Sequence, residues 1–253
     1  MQQPQTMPPV SYLELALSFA AILIFGTIIG ALVGSLAWLV FALVVGHDAM
    51  LVAIHSIKAQ VPDKSGVVTA LVYSLTALFY AAFFVTMWVV AKFGVNAPLK
   101  LRIAFHDWTG DRQFWWLALV MMPAVNLFSS LLLGAIEPQE SGMPPVPTSL
   151  AGWLMLFAVA VVIAPICEEM LFRGWLFTAL RTRQTFGATA IITAALFAFM
   201  HALSGMFYAL LIFPVGLLLA YARERYGSIK PTIVIHGLFN ASALVLAYLT
   251  AKP

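Results

Sequence analysis

The chain has 253 residues, of which 62% are apolar and only 9% charged, with a mean hydropathy of +0.98. A soluble domain carries about one quarter charged residues, so this composition argues against a soluble enzyme or a disordered chain. The net charge of +3 comes from 13 Lys and Arg scattered without a patch or run, which argues against a nucleic-acid binder.

What remains is an integral membrane protein. A helix needs about 20 apolar residues to cross a bilayer, and seven segments meet or approach that length. They are 12–45, 66–91, 114–136, 149–172, 187–203, 206–222 and 231–251. The fold class that follows is all-α, a polytopic transmembrane bundle of about seven spans, with six to eight as the range. Residues 1–11 form a short Pro- and Gln-rich tail with no basic n-region, so the first span is expected to serve as its own anchor. Residues 12–253 read as a single membrane domain.

In chain order, span one is long enough to tilt steeply or project beyond the bilayer. Gly26, Gly30 and Gly34 lie four apart on it, a stripe that lets another helix approach closely. Spans two and three carry no motif and are expected to supply architecture only. Pro123 in span three and Pro214 in span six should kink their helices. The segment 137–149 holds Glu137, Glu140 and several prolines but no basic residue, which suits an external loop. Spans five and six are short and share a tight joint at Ser204-Gly205, as in a hairpin. The single cysteine, Cys167, excludes an internal disulfide and a cysteine-built zinc cluster. His47, His55 and His106 fall in polar connections and read as solvated.

Basic residues orient the chain. Lys92, Lys100, Arg102, Arg112, Arg173, Arg181, Arg183, Arg223, Arg225 and Lys230 follow even-numbered spans, against Lys58, Lys64 and Lys252 on the other side. The positive-inside rule then places the N-terminus in the cytoplasm, in what reads as a bacterial cytoplasmic (inner) membrane.

Few ionisable groups remain at membrane depth. Glu14 lies near an interface. The others are Glu168, Glu169 and Arg173 in span four, His201 in span five and His236 in span seven. A charge at the bilayer centre costs at least about 2.5–3.5 kcal/mol, so each marks a candidate site. Glu169 and Arg173, at i and i+4, face the same side and pair, as a structural or substrate-binding couple. Glu168 lies about 140° from Arg173 and is freer. Pro165 frees a backbone carbonyl nearby. His236 and Asn240 share one face, and Phe197 sets an aromatic wall beside His201. Counted from the cytoplasmic ends, Glu168 and His201 fall at similar height and His236 nearer the surface. A cytoplasm-facing intramembrane cavity reconciles the three.

These residues carry a resemblance. Glu168-Glu169-Met170-Leu171-Phe172-Arg173 reads EExxxR, Phe197 to His201 reads FxxxH, and His236 to Asn240 reads HxxxN. In this order on late spans, within about 150–245, they resemble the CPBP family of intramembrane metalloproteases. That family includes the type II CAAX prenyl endopeptidases and the Abi bacteriocin-immunity-like proteins. The resemblance implies that Glu168, with His201, activates a water for attack on the scissile carbonyl. It implies that His236 and Asn240 stabilise the oxyanion, and that Glu169, Arg173 and Phe197 support the site or hold substrate. A carboxylate stripped of water is a stronger base, and N–H donors in a dry cavity stabilise a developing oxyanion.

Metal use stays open at this level. Glu168, His201 and His236 make up a catalytic zinc set with a place for water, yet the same groups activate water without a divalent metal such as zinc. No nucleotide or organic cofactor is expected. Cys167 as nucleophile is disfavoured, because a thiol buried among apolar groups is inert. The expected partners are a membrane-associated peptide or protein substrate and the lipid bilayer, with no nucleic acid. A non-proteolytic regulatory or peptide-immunity protein using the same cavity is the alternative function. An ion-coupled transporter would want repeated halves, which the sequence lacks.

Overall fold

The computed structural model describes residues 9–46, 48, 51, 55, 67–94, 103–136, 147, 149–202 and 205–250. Among these residues there are helices and no strands. The N-terminal tail before residue 9, Ser204 and most of the acidic segment 137–149 lie outside them.

Six helices are long and apolar enough to cross a membrane. In chain order, α1 is Tyr12–Val45, and α2 is Val67–Gly94. α3 joins Arg112–Trp116 to Met122–Ile136 through a π turn at Leu117–Met121. α4 runs from Leu150–Phe157 to Phe177–Arg181 and contains two π turns, Ala158–Ile163 and Met170–Leu176. α5 is Phe186–Met200, α6 is Met206–Tyr226 and α7 is Lys230–Thr250. α5 has 15 residues, about 22 Å of helix, and is the one segment too short to span alone. Two boundaries differ from the sequence expectation. α6 continues to Tyr226 and reaches full spanning length. α4 continues to Arg181, so EExxxR sits inside a long helix rather than at its end.

Four helix starts are specified by a capping side chain. Ser11, Asp111, Ser149 and Thr185 accept a hydrogen bond from the backbone N–H three residues on, satisfying a donor that the first turn leaves free. Gly205, at φ 128°, turns the chain from α5 into α6, where a side chain would be strained. The two helices then pack closely at Gly216, where an added Cβ would lie 2.9 Å from Ala194.

The glycine stripe of α1 serves packing within the chain. Rings of Phe83 and Phe79 on α2 lie over Gly26 and Gly30, where a Cβ would come within 2.6 Å of them. Gly34 has nothing nearer than 3.9 Å.

One end of the bundle collects charge. Arg183 donates to the Val10 carbonyl beside the start of α1, and Arg181 pairs with Glu224 at the end of α6. Arg225 pairs with Asp111 before α3, and Lys230 at the start of α7 pairs with Asp107. The start of α1 and the ends of α4 and α6 thus share one side, as the count of basic residues requires. Lys58, Lys64, Lys100, Arg102 and Lys252 lie outside the described residues.

Candidate active site

The site grows from the two π turns of α4. The first ends where Ala164 N–H bonds back to the Val159 carbonyl, and Pro165 has no N–H to offer. Both helical donors for the Ala160 carbonyl are therefore taken or missing, and Asn240 of α7 supplies the bond, Nδ2 to oxygen at 2.7 Å. A carbonyl only accepts, so this contact fixes which end of the amide faces it. Gly237 allows the approach: a Cβ there would stand 2.8 Å from the Val161 carbonyl. The second π turn leaves the Arg173 carbonyl to accept from Arg223 Nε at 3.0 Å.

Between these turns stand the two glutamates, facing different surroundings. Glu169 and Arg173 have no exposed surface and pair at 3.0 Å. Arg173 also donates to the Gly216 carbonyl at 3.0 Å, and its guanidinium lies 4.5 Å from the centre of the Phe197 ring. Enclosed in this way, the pair lines neither of the cavities described below. Glu169 Oε1 also meets His236 Nδ1 at 3.0 Å. A carboxylate accepts, so Nδ1 carries the proton and Nε2 is the ring atom left for the cavity. The sequence assigned Glu169 to Arg173 alone; the structure makes it the holder of His236 as well.

Glu168 is partly open. Its Oε1 accepts from the phenol of Tyr80 at 2.6 Å, and its Oε2 lies 3.8 Å from His236 Nε2, beyond a direct hydrogen bond. His201 caps the end of α5, with Nδ1 donating to the Phe197 carbonyl at 2.8 Å, which likewise leaves Nε2 free. Phe197 stands between the imidazoles, 4.7 Å from His201 and 5.6 Å from His236 by ring centres.

Two cavities meet here. One, of about 380 Å³, has Glu168, His201, His236, Asn240 and Phe197 in its wall. The other, of about 330 Å³, is walled by Phe79, Phe83, Leu171, Phe172 and Met200 and shares Tyr80, Glu168 and His201 with the first. All the residues picked from the sequence thus stand at one place: Glu168, His201, His236, Asn240 and Phe197 at the cavity, Glu169 and Arg173 behind it. His236 does not lie apart from the other two in depth. Arg223 of α6 reaches back to the Arg173 carbonyl, while its neighbour Glu224 pairs with Arg181 at the end of α4.

One sequence expectation needs correction. Spans two and three do more than frame the bundle. Tyr80, Tyr73 and Thr76 of α2 line the larger cavity, and the buried Asn126 of α3 donates to the Phe239 carbonyl and Ser242 beside Asn240. Tyr208 of α6 lines the same cavity near His201. Tyr73, Thr76 and Tyr80 repeat at i, i+3 and i+7, the signal that could have found them. Among the described residues no three His, Cys, Asp or Glu side chains are placed together to hold a metal. Nδ1 of each imidazole is engaged by protein, and Nε2 of each is the ring nitrogen left free.

Residues 150–242 match the family model described as type II CAAX prenyl endopeptidase Rce1-like. The UPF0177 protein YbdI of Lactococcus lactis subsp. lactis (strain IL1403) is 25% identical over 177 residues, covering 66% of this chain and 92% of that relative. No solved structure matches the chain. The matched family segment begins with α4 and ends just past Asn240, so it holds all three motifs and the cavity wall they build. Over this segment the chain is similar to the type II CAAX prenyl endopeptidase Rce1-like family, and the two likenesses together support the resemblance to CPBP membrane proteins.

Proposed function

We propose that the protein is an intramembrane endopeptidase that hydrolyses a peptide bond of a membrane-associated substrate, either lipidated at a CAAX-type terminus or bacteriocin-like. One observation carries this reading: Glu168, His201 and His236, from three helices, border one cavity that also holds Asn240. In this reading water sits at Glu168 Oε2, the oxygen that Tyr80 does not occupy. Glu168 takes the water's proton as its oxygen adds to the carbonyl carbon, and His201 Nε2 orients the same water. The carbonyl oxygen becomes an oxyanion against His236 and the second N–H of Asn240. Because His236 Nδ1–H is given to Glu169, donation from Nε2 requires the imidazolium, whose charge the buried Glu169 carboxylate supports. Glu168 then passes its proton to the leaving amine, and the C–N bond breaks. The cavity faces the cytoplasm of a bacterial inner membrane, on the side of the basic helix ends.

Comparing the membrane proteomes of cells carrying wild-type protein and Glu168→Ala tests the reading. The expected outcome is one or more unprocessed precursors that accumulate only with the variant, at equal levels of inserted protein. Identical proteomes would sink the proteolytic reading, and with it the role of the cavity as a site of hydrolysis. A phenotype kept intact by Glu168→Ala would favour the peptide-immunity alternative.

A further inference from the structure

The hydrogen-bond partner of Glu168 comes from outside the segment that carries the motifs. We propose that Tyr80 of α2 is a positioning residue for Glu168, fixing which carboxylate oxygen meets the water; this rests on the hydrolytic reading above. The phenol lies 2.6 Å from Oε1, and since an ionised carboxylate only accepts, the phenol donates. With Oε1 held, Oε2 is the oxygen left on the His236 side, at 3.8 Å from Nε2.

Tyr80 is itself located by two contacts. The Cys167 thiol reaches its backbone carbonyl at 3.7 Å, joining α2 to α4 one residue before Glu168. The neighbouring Phe79 ring packs edge-on against it, with centres 6.1 Å apart. Phe79 and Phe83 are in turn seated on Gly30 and Gly26, so the rotation of α2 about its axis is set by α1. A one-residue slip of that helix turns Tyr80 about 100° and carries the phenol off the carboxylate. Tyr80 also lines both cavities that meet at Glu168 and His201. Its hydroxyl therefore stands at the junction where a scissile bond must lie, while bonding the base rather than the substrate.

The test uses full-length protein in detergent and, as substrate, a precursor recovered from Glu168→Ala membranes. Tyr80→Phe keeps the ring and removes the donor. A hydrogen bond to a charged group corresponds to about a 10- to 100-fold effect. The expected result is a fall in kcat of that order, with KM within about twofold of wild type. In a Glu168→Asp background, where the shortened carboxylate no longer reaches the phenol, Tyr80→Phe should add little further loss. Wild-type kcat in Tyr80→Phe overturns the inference and leaves the protease reading standing. So does a rise in KM at constant kcat, or a loss repeated in full in the Glu168→Asp background. If Glu168→Ala accumulates no precursor, the protease reading falls first and takes this inference with it.

Discussion

α1 and α4 are both more than 30 residues long and both highly apolar, yet they do opposite work. α1 exposes Leu13, Leu17, Leu32, Leu36 and Leu43, whereas residues 169–177 of α4 are buried without a break. Apolar content cannot separate them, because the bilayer and the protein core reward the same residues. What separates them is what interrupts the apolar run. α4 is interrupted by charge, by Pro165 and by two π turns, which expose carbonyls and ionisable groups to partners on α6 and α7. α1 is interrupted by glycines, which supply shape and no chemistry. The first half of the chain therefore packs against the cavity that Glu168, His201, His236 and Asn240 of the second half border.

The largest effect should come from unpairing the charge in α4. Arg173→Met leaves Glu169 enclosed without its guanidinium partner and removes the donor to the Gly216 carbonyl. Breaking a fully buried pair on one side costs about 3–5 kcal/mol. Thermal melting of the purified variant should show that loss, and Glu169→Leu combined with Arg173→Met should be milder than Arg173→Met alone. A single variant as stable as wild type would remove pairing as the basis of α4's packing.

Much of this was readable in the chain because the bilayer makes charge rare. Glu168, Glu169 and Arg173 stand out in an apolar span, and the spacing of His236 and Asn240 places both on one face. Six of the helices among the described residues have the length that a bilayer demands, and α5 falls short of it. Tyr80, Tyr73, Thr76 and Tyr208 were not readable in the same way. A phenol in a span rich in Phe and Tyr looks like packing until its hydroxyl is seen to face a carboxylate. The depth of His236 was misjudged for a different reason. Counting from Pro231 gives a height along α7 alone, whereas His236 is placed by contacts to α4, with Nδ1 3.0 Å from Glu169 and Nε2 3.8 Å from Glu168. Pro165 did announce a free carbonyl, but which carbonyl depends on the π turn that precedes it, and that turn has no signature in composition.

A smaller effect should separate the glycines of α1 from one another. Gly26→Ala and Gly30→Ala each place a methyl within 2.6 Å of a phenyl ring that also walls the cavity beside Tyr80. Overpacking of that kind costs about 1–3 kcal/mol. The rings must shift, so processing of the precursor should slow along with the loss of stability. Gly34→Ala meets nothing nearer than 3.9 Å and should match wild type in both measurements. Equal behaviour of all three variants would mean that α1 sets nothing at the site.

The smallest effect concerns the seam between the two halves. Asp111 caps α3 through the Phe114 N–H and reaches the end of α6, accepting from Tyr226 at 2.8 Å and Arg225 at 3.1 Å. The Phe114 N–H, the Tyr226 phenol and the Arg225 guanidinium hold its carboxyl below the ordinary value of 3.8. A carboxyl depressed on folding stabilises the protein fully above its unfolded value, and that contribution disappears as pH falls through the folded value. Asp111→Asn keeps a cap but loses the charge. Wild type should therefore melt slightly above Asp111→Asn near neutral pH, with the difference shrinking only once pH drops below about 3.8 and vanishing in stronger acid. The carboxyl is exposed, so added salt should narrow the gap at neutral pH as well. A gap that persists in strong acid would mean that Asp111 joins the halves through its shape and hydrogen bonds alone.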